Sequence, residues 1–311
     1  MSSKPMLSQE IKALAAEAGF DACGISAAGP VDEGHAAFFR KWLEDGRNAD
    51  MHYMAGYEDK RLNPALLAAG AKSVISLALN YHQERRIDKR QWQIATYAYG
   101  KDYHTVVKSM LHALALKLRD VLGINVLGVY CDTAPVLERY WAWRGGLGWI
   151  GRNTQLIIPG KGSNFFLGEI LVDVETDYDS PMDSRCGDCM RCVNACPGKA
   201  LGAAGGLDAG RCLSYLTIEY RGDMSGEQAV KLGNRIYGCD TCQDVCPHNS
   251  CAAGTKVEEF VLSPALASMD KADWLALTEE RYRELFKGSA VKRAKYAGLC
   301  RNIKAVSGNG E

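Results

Sequence analysis

At 311 residues and 47% hydrophobic, the chain is long enough to bury a sizeable core and to divide into one large and one small domain. Lys+Arg and Asp+Glu balance at 37 each, so overall charge points to neither nucleic acid nor membrane as a partner. No apolar run reaches the roughly 18 to 20 residues of a membrane helix, and Met1-Ser-Ser-Lys-Pro-Met carries neither twin arginine nor signal core, so a reducing cytoplasm is expected.

In chain order, Leu7, Ile11, Leu14, Ala15 and Ala18 recur at helical spacing, and Gly19 is a natural stop. A short strand is expected at 20–25, then a helix near 32–45 whose stripe Phe38, Phe39, Trp42 and Leu43 is read as core. Met51-His-Tyr-Met54 and Lys60-Arg61-Leu-Asn-Pro64 form a loop that lines a pocket or caps one. The apolar run 72–81 is a buried strand, and 104–121 is a long helix with Val107, Met110, Leu111, Leu114 and Leu118 on one face. Asp102-x-His104 matches the start of the Asp-x-His-x-x-Gly pattern by which some enzymes ligate cobalt. Position 107 is Val, so a helix-start or pocket-wall histidine is the plainer reading.

The strand 124–130 ends in Cys131-Asp132-Thr133-Ala134-Pro135. A carboxylate at a strand end, ahead of a helix that begins with Pro, suits a catalytic group held rigidly over a cleft. Asp132 could instead cap that helix, but Thr133 would serve equally well. Gly146-Leu-Gly148-Trp-Ile-Gly151 fits the dinucleotide pattern on paper. It follows a helix and precedes the strand-like 156–158, the wrong context, so it is read as tight turns without bound NAD. Residues 164–175 close the large domain as its last strand, an α/β or α+β sandwich of about 175 residues. The tail, 257–305, reads as helical. From Phe286 to Lys304 it holds six basic and no acidic residues, either a solvated face or a phosphate-contacting surface.

Eight of the twelve cysteines lie between 186 and 247. The first burst, Cys186-x2-Cys189-x2-Cys192-x3-Cys196-Pro197, has the bacterial ferredoxin spacing, in which three thiolates bind one 4Fe–4S cube and the fourth crosses to another. The second, Cys239-x2-Cys242-x3-Cys246-Pro247, has Val245 where a third close cysteine belongs, and Cys212 is assigned to replace it. Cluster one is then Cys186, Cys189, Cys192 and Cys246; cluster two is Cys196, Cys212, Cys239 and Cys242. A structural zinc on two Cys-x-x-Cys pairs would leave Cys192, Cys196 and both Cys-Pro pairs idle. Disulfides do not suit a reducing compartment. Cys23, Cys131, Cys251 and Cys300 are left as small hydrophobes. Two adjoining cubes form a short wire for single electrons, and the large upstream domain argues for a reductase rather than a simple carrier.

The cysteine bursts, Cys212-Leu-Ser-Tyr-Leu-Thr-Ile-Glu219, Arg61-Leu-Asn-Pro64, Tyr97-Ala-Tyr-Gly-Lys-Asp-Tyr-His104, Asp132-Thr-Ala-Pro135 and Gly146-Leu-Gly-Trp-Ile-Gly-Arg-Asn153 together resemble the epoxyqueuosine reductases, over roughly residues 7 to 305. The resemblance implies an α+β fold: a nitroreductase-like cobalamin domain (1–178), a double 4Fe–4S ferredoxin-like domain (179–254) and a short helical tail (255–311). It implies an enzyme that reduces epoxyqueuosine to queuosine in the tRNA anticodon loop, fed by an external ferredoxin- or flavodoxin-type donor. The chain ends at Glu311, without the helical-repeat domain many members carry, so the basic tail is expected to take up some of the tRNA contact.

By the same resemblance, Asp132 is the proton donor, kept neutral by burial against the corrin, and Arg139 lies two helical turns on, where it binds a tRNA phosphate or steadies the substrate. Arg61, Tyr103, His104, Asn153, Ser214, Asp240 and Thr241 are expected around the corrin or its contact with the clusters. Two further readings are a cytoplasmic cobalamin-dependent reductive dehalogenase and a ferredoxin-type electron-transfer module.

Overall fold

The computed structural model describes residues 4–308; residues 1–3, part of the stretch searched for a leader, and 309–311 lie outside the described residues. Among these, eight strands follow in chain order: β1 Ala22–Ala27, β2 Ser73–Asn80, β3 Gln93–Ile94, β4 Val126–Tyr130, β5 Trp149–Ile150, β6 Leu156–Ile157, β7 Phe165–Val172 and β8 Arg235–Tyr237. The first helices are α1 Lys4–Glu17, α2 Glu33–Glu44, α3 Glu58–Leu62, α4 Tyr103–Leu122 and α5 Glu138–Arg144. No helix among the described residues is long and apolar enough to cross a membrane.

The main sheet runs β1-β2-β7-β4 and is antiparallel throughout, an α+β arrangement. Alternation along the strands sends side chains to opposite faces. Ile75, Leu77, Leu79, Ile170 and Val172 meet α1 and α4 through Ile11, Ala15, Leu111, Leu114 and Leu118. Val74 and Leu171 meet α2 and α5 through Phe39, Tyr140 and Trp141 on the other face. The strand expected to close the domain, β7, lies inside the sheet, between β2 and β4, and this explains its near-continuous burial.

Two glycine positions set close approaches. A Cβ on Gly24 would lie 1.9 Å from Gly145 O, so the end of α5 rests directly on β1. A Cβ on Gly148 would lie 2.0 Å from Ile157 O, and β5 pairs with β6, so the glycine run is tight turns. One core expectation fails. Phe39 is buried but Phe38 is 57% exposed, turned toward the loop at Gly206.

A second core joins what sequence reading separates. Trp92, Ile94 and Tyr99 pack with Leu213, Leu216, Ile236 and Tyr237 and with Trp274, Phe286, Leu299 and Ile303 of the tail. Parallel pairing of β3 with β8 ties residues 93–94 to the segment just before the second cysteine burst. The C-terminal helix, Lys295–Ser307, buries Asn302, whose Nδ2 donates to Thr217 O and Ile236 O at 2.8 Å each. Arg301 donates to the carbonyls of Leu216, Tyr220 and Gly222. Arg293 forks onto Glu219 at 2.8 and 2.7 Å. Of the six basic residues between Phe286 and Lys304, these two are thus engaged in folding, whereas Lys287, Lys292, Lys295 and Lys304 are exposed.

Candidate active site and cysteine centres

The strand end at β4 and the start of α4 meet over the sheet edge. Asp102 caps α4, its Oδ1 accepting from His104 N at 3.0 Å and lying 2.7 Å from His104 Nδ1. The other ring nitrogen, Nε2, lies 2.8 Å from Asp132 Oδ2, which also accepts from the Tyr103 hydroxyl at 2.6 Å. Tyr103 is clamped between rings, stacked on Phe166 at 4.4 Å and on His104 at 4.1 Å. The structure thus brings together Tyr103, His104 and Asp132, three residues from two distant segments. The cap role of Asp102 explains its two-residue spacing from His104, in keeping with the helix-start reading of that histidine.

Electrostatics set the protons. Burial lowers the pKa of His104, but the flanking Asp102 and Asp132 outweigh it and raise it to about 9. Burial raises that of Asp132, yet hydrogen bonds from His104 and Tyr103 and the charges of His104 and Arg139 outweigh it, so Asp132 falls below the usual carboxylate range. Asp132 is therefore a carboxylate beside a charged imidazole here, whereas the neutral form is the one expected with the corrin packed against it. The reason is that its side chain is 53% exposed and carries two donors.

The local backbone departs from expectation as well. Asp132 has φ +58, a left-handed conformation uncommon outside glycine but best tolerated by Asp and Asn. Helix α5 begins at Glu138, not after Pro135, and its N-cap Leu137 offers no side-chain bond. Neither Asp132 nor Thr133 caps it: Asp132 is taken by His104, and Thr133 Oγ1 accepts from Lys108 at 2.7 Å. Arg139 is accordingly not two helical turns beyond Asp132. It still acts on Asp132 by charge, and its Nη1 donates to Thr154 O at 2.6 Å.

Arg61 lies nearby, 7% exposed, with one hydrogen bond, to Tyr53 O at 3.1 Å, and an Nε that meets no protein acceptor. Tyr53 feels the charges of Glu219, Arg293, Asp132 and Arg61, which gathers N-terminal, cluster-side and tail residues around one side chain. Asn153 is buried, its Nδ2 3.5 Å from Cys242 O, and so links the glycine run to the cysteines. Ser214, Asp240 and Thr241 lie on the cysteine side. The N–H of Ser214 acts on the Cys212 sulfur. Asp240 accepts from Thr96 N at 2.7 Å, and Thr241 Oγ1 accepts from Arg235 at 2.8 Å. Sequence reading gave no role to Glu138 and Glu169, because nothing local marks them, and placed Tyr53 and Arg293 only in a pocket loop and a basic run; each becomes notable through a nonlocal neighbour.

The cysteines fall into two electrostatic groups. Cys192 is acted on by Cys186 and Cys246, and Cys246 by Cys186 and Cys189. Cys242 is acted on by Cys239, Cys212 and Cys196. A zinc ion wants four donors within about 2.3 Å of one point. Among the described residues no group of three or more His, Cys, Asp or Glu is placed to hold a single metal ion. Cys242 also acts on Arg139, so the second group borders the Asp132 site.

Residues 185–249 match the family described as "4Fe-4S double cluster binding domain". Joined to an α+β domain with a proton-bearing site, that segment defines an iron–sulfur oxidoreductase. Residues 61–133 match "Epoxyqueuosine reductase QueG, DUF1730". The epoxyqueuosine reductase of Leadbetterella byssophila is 44% identical over 96% of this chain and 98% of its own. That of Pseudomonas aeruginosa is 39% identical over 97% and 85%. Among solved structures, an epoxyqueuosine reductase crystallised with an epoxyqueuosine-modified tRNA-Tyr stem loop superposes with a TM-score of 0.88 at 28% identity, covering 96% of this chain and 80% of that one. The Streptococcus thermophilus enzyme gives 0.85 at 30% identity over 97% and 81%. The chain belongs to the epoxyqueuosine reductase family.

Proposed function

We propose that this protein reduces epoxyqueuosine to queuosine in the anticodon loop of tRNA, consuming two electrons and two protons and releasing water. The observation that carries the reading is Asp132, set on a left-handed turn at a strand end, with an imidazole and a phenol on one oxygen and the second cysteine group beside it. Bound 4Fe–4S clusters supply electrons singly, and bound cobalamin, reduced by them, supplies a strong nucleophile for the epoxide carbon.

The chain's residues fit those groups. Cys186, Cys189, Cys192 and Cys246 would hold one cluster and Cys196, Cys212, Cys239 and Cys242 the other, in line with their electrostatic grouping. The partnerless Nε of buried Arg61 suits an acceptor from outside the chain, which the amide and phosphate oxygens rimming cobalamin provide. Tyr103 and His104 would wall the corrin, while Asn153, Ser214, Asp240 and Thr241 would stand between it and the second cluster. Residues 1–178 then hold corrin and substrate, 179–254 the clusters, and 255–311 buttress them.

Proton movement follows from the site. In the open state the proton rests on His104 Nε2. Substrate closing over the site removes water, and a dry environment favours the neutral pair over the ion pair. The proton then shifts to Asp132, which donates it to the oxygen leaving the ring. Asp102 keeps the imidazole oriented through Nδ1 throughout. Arg139 would steady the substrate or a tRNA phosphate. An external ferredoxin- or flavodoxin-type protein would deliver electrons, in the cytoplasm.

The test is to purify the protein anaerobically, add cobalamin, record the visible spectrum, and assay epoxyqueuosine-containing tRNA by nucleoside mass analysis. Cobalamin uptake with conversion is expected. Uptake without conversion would favour a dehalogenase, and no uptake would favour an electron carrier.

A further inference from the structure

Behind Asp132 lie two carboxyls that the proposed reaction leaves unused. Glu169 sits in the middle of β7, 0% exposed, and neither of its oxygens meets a protein hydrogen-bond donor. Its strand neighbours are Ser76 and Tyr130, which places it on the face covered by α5. There Ser76 Oγ and Trp141 Nε1 are also buried without partners. Glu138, the first residue of α5, turns a carboxylate oxygen back onto the N–H of Asp132. That N–H belongs to the residue at φ +58, a conformation that persists only when surrounding contacts hold it.

Several groups face Glu138: Asp132 from the loop, Arg139 from its own helix, His104 from α4 and Glu169 from the sheet. Cys131 lies within the field of both glutamates and of Lys108, which itself bonds Thr133. Burial first, then the charge of Asp132 for Glu138 and that of Glu138 for Glu169, push both glutamates above the usual carboxylate range. Two carboxyls so placed do not ionise together. Glu169 is enclosed and unpartnered, whereas Glu138, its carboxyl pushed up to about 8, offers an oxygen to the Asp132 N–H.

We propose that Glu138 is a positioning residue for Asp132: its carboxyl oxygen clamps the Asp132 N–H and thereby holds Oδ2 against His104 and Tyr103. The inference rests on Asp132 being the acid of the reaction proposed above, but the clamp itself is read out without that reaction. If Asp132 leaves its place, His104 loses the carboxylate on Nε2.

The experiment follows the His104 ring by proton NMR in the protein carrying its clusters, before cobalamin is added, the signal being assigned by its absence in H104Q. A wild-type midpoint of about 9 is expected. In Glu138→Ala it moves down toward about 6.5, the value of a free imidazole, and kcat on epoxyqueuosine-tRNA falls at least about tenfold with KM little changed. Glu138→Gln, whose amide oxygen still accepts the N–H, retains the high midpoint and most of kcat. An unshifted His104 midpoint in Glu138→Ala overturns the clamp, whatever the enzyme does to tRNA. A shifted midpoint supports it even if the substrate proves to be another. Should Glu138→Ala not fold, Glu138→Asp, one methylene too short to reach, gives the same two outcomes.

Discussion

Asp132→Asn is the substitution that isolates the proton. Asn tolerates φ +58 as Asp does, so the turn stays intact while the carboxyl is lost. Both clusters and cobalamin are expected to remain bound by their spectra, and single-turnover conversion to slow by about 10²- to 10⁴-fold, the usual contribution of a general acid. Unchanged turnover would remove Asp132 from the mechanism. The imidazole gives a second reading at the same scale. Its pKa is raised above that of a free histidine, so the His104–Asp132 attraction is complete below about 6.5 and disappears as pH rises through about 9. Activity should therefore decline on an alkaline limb near that value, and Asp102→Asn should move the limb to lower pH. A limb unmoved in that variant would place the ionisation elsewhere.

At the scale of elements, local chemistry was legible and pairing was not. The start of α4, the capped α2 and the stop at Gly19 follow from residues that touch within a turn. The same holds for the cysteine bursts, because ligand spacing is itself local. The start of α5 was misread for a physical reason: Asp132 and Thr133, both suited to capping, are recruited by His104 and Lys108 from another helix. The interior place of β7 depends on an antiparallel order that no single strand encodes. Its buried Glu169 breaks the apolar pattern and has a measurable consequence. The folded-state pKa lies well above the ordinary value near 4.5, so stability present below that value is lost as pH rises, while the unfolded chain alone gives up its proton. Glu169→Gln should raise the thermal midpoint relative to wild type, by more at pH 8.5 than at pH 5.5, an effect on the order of 1–3 kcal/mol. A difference that stays constant with pH would mean that Glu169 is ionised in the fold.

For the whole molecule, the two cysteine groups exchange ligands across the chain: Cys196 from the first burst joins the second group, and Cys246 from the second burst joins the first. Anaerobic protein should contain about eight irons. Replacing Cys246 by Ala should remove about four and alter the electron paramagnetic resonance of the remaining cluster little. Zinc in place of iron would end the reductase reading. The double-cluster segment was foreseeable from sequence, but its anchorage to β3 and to the tail was not, since both rest on contacts more than fifty residues apart.

That anchorage reaches into how such a protein would be dissected. Asn302 braces the helix that follows Cys212 and the strand that leads into Cys239, so the final helix works as a keystone and not as a detachable arm. Trimming it to look for weaker tRNA capture would bleach the protein's brown colour first, and the missing affinity would be a symptom of collapse.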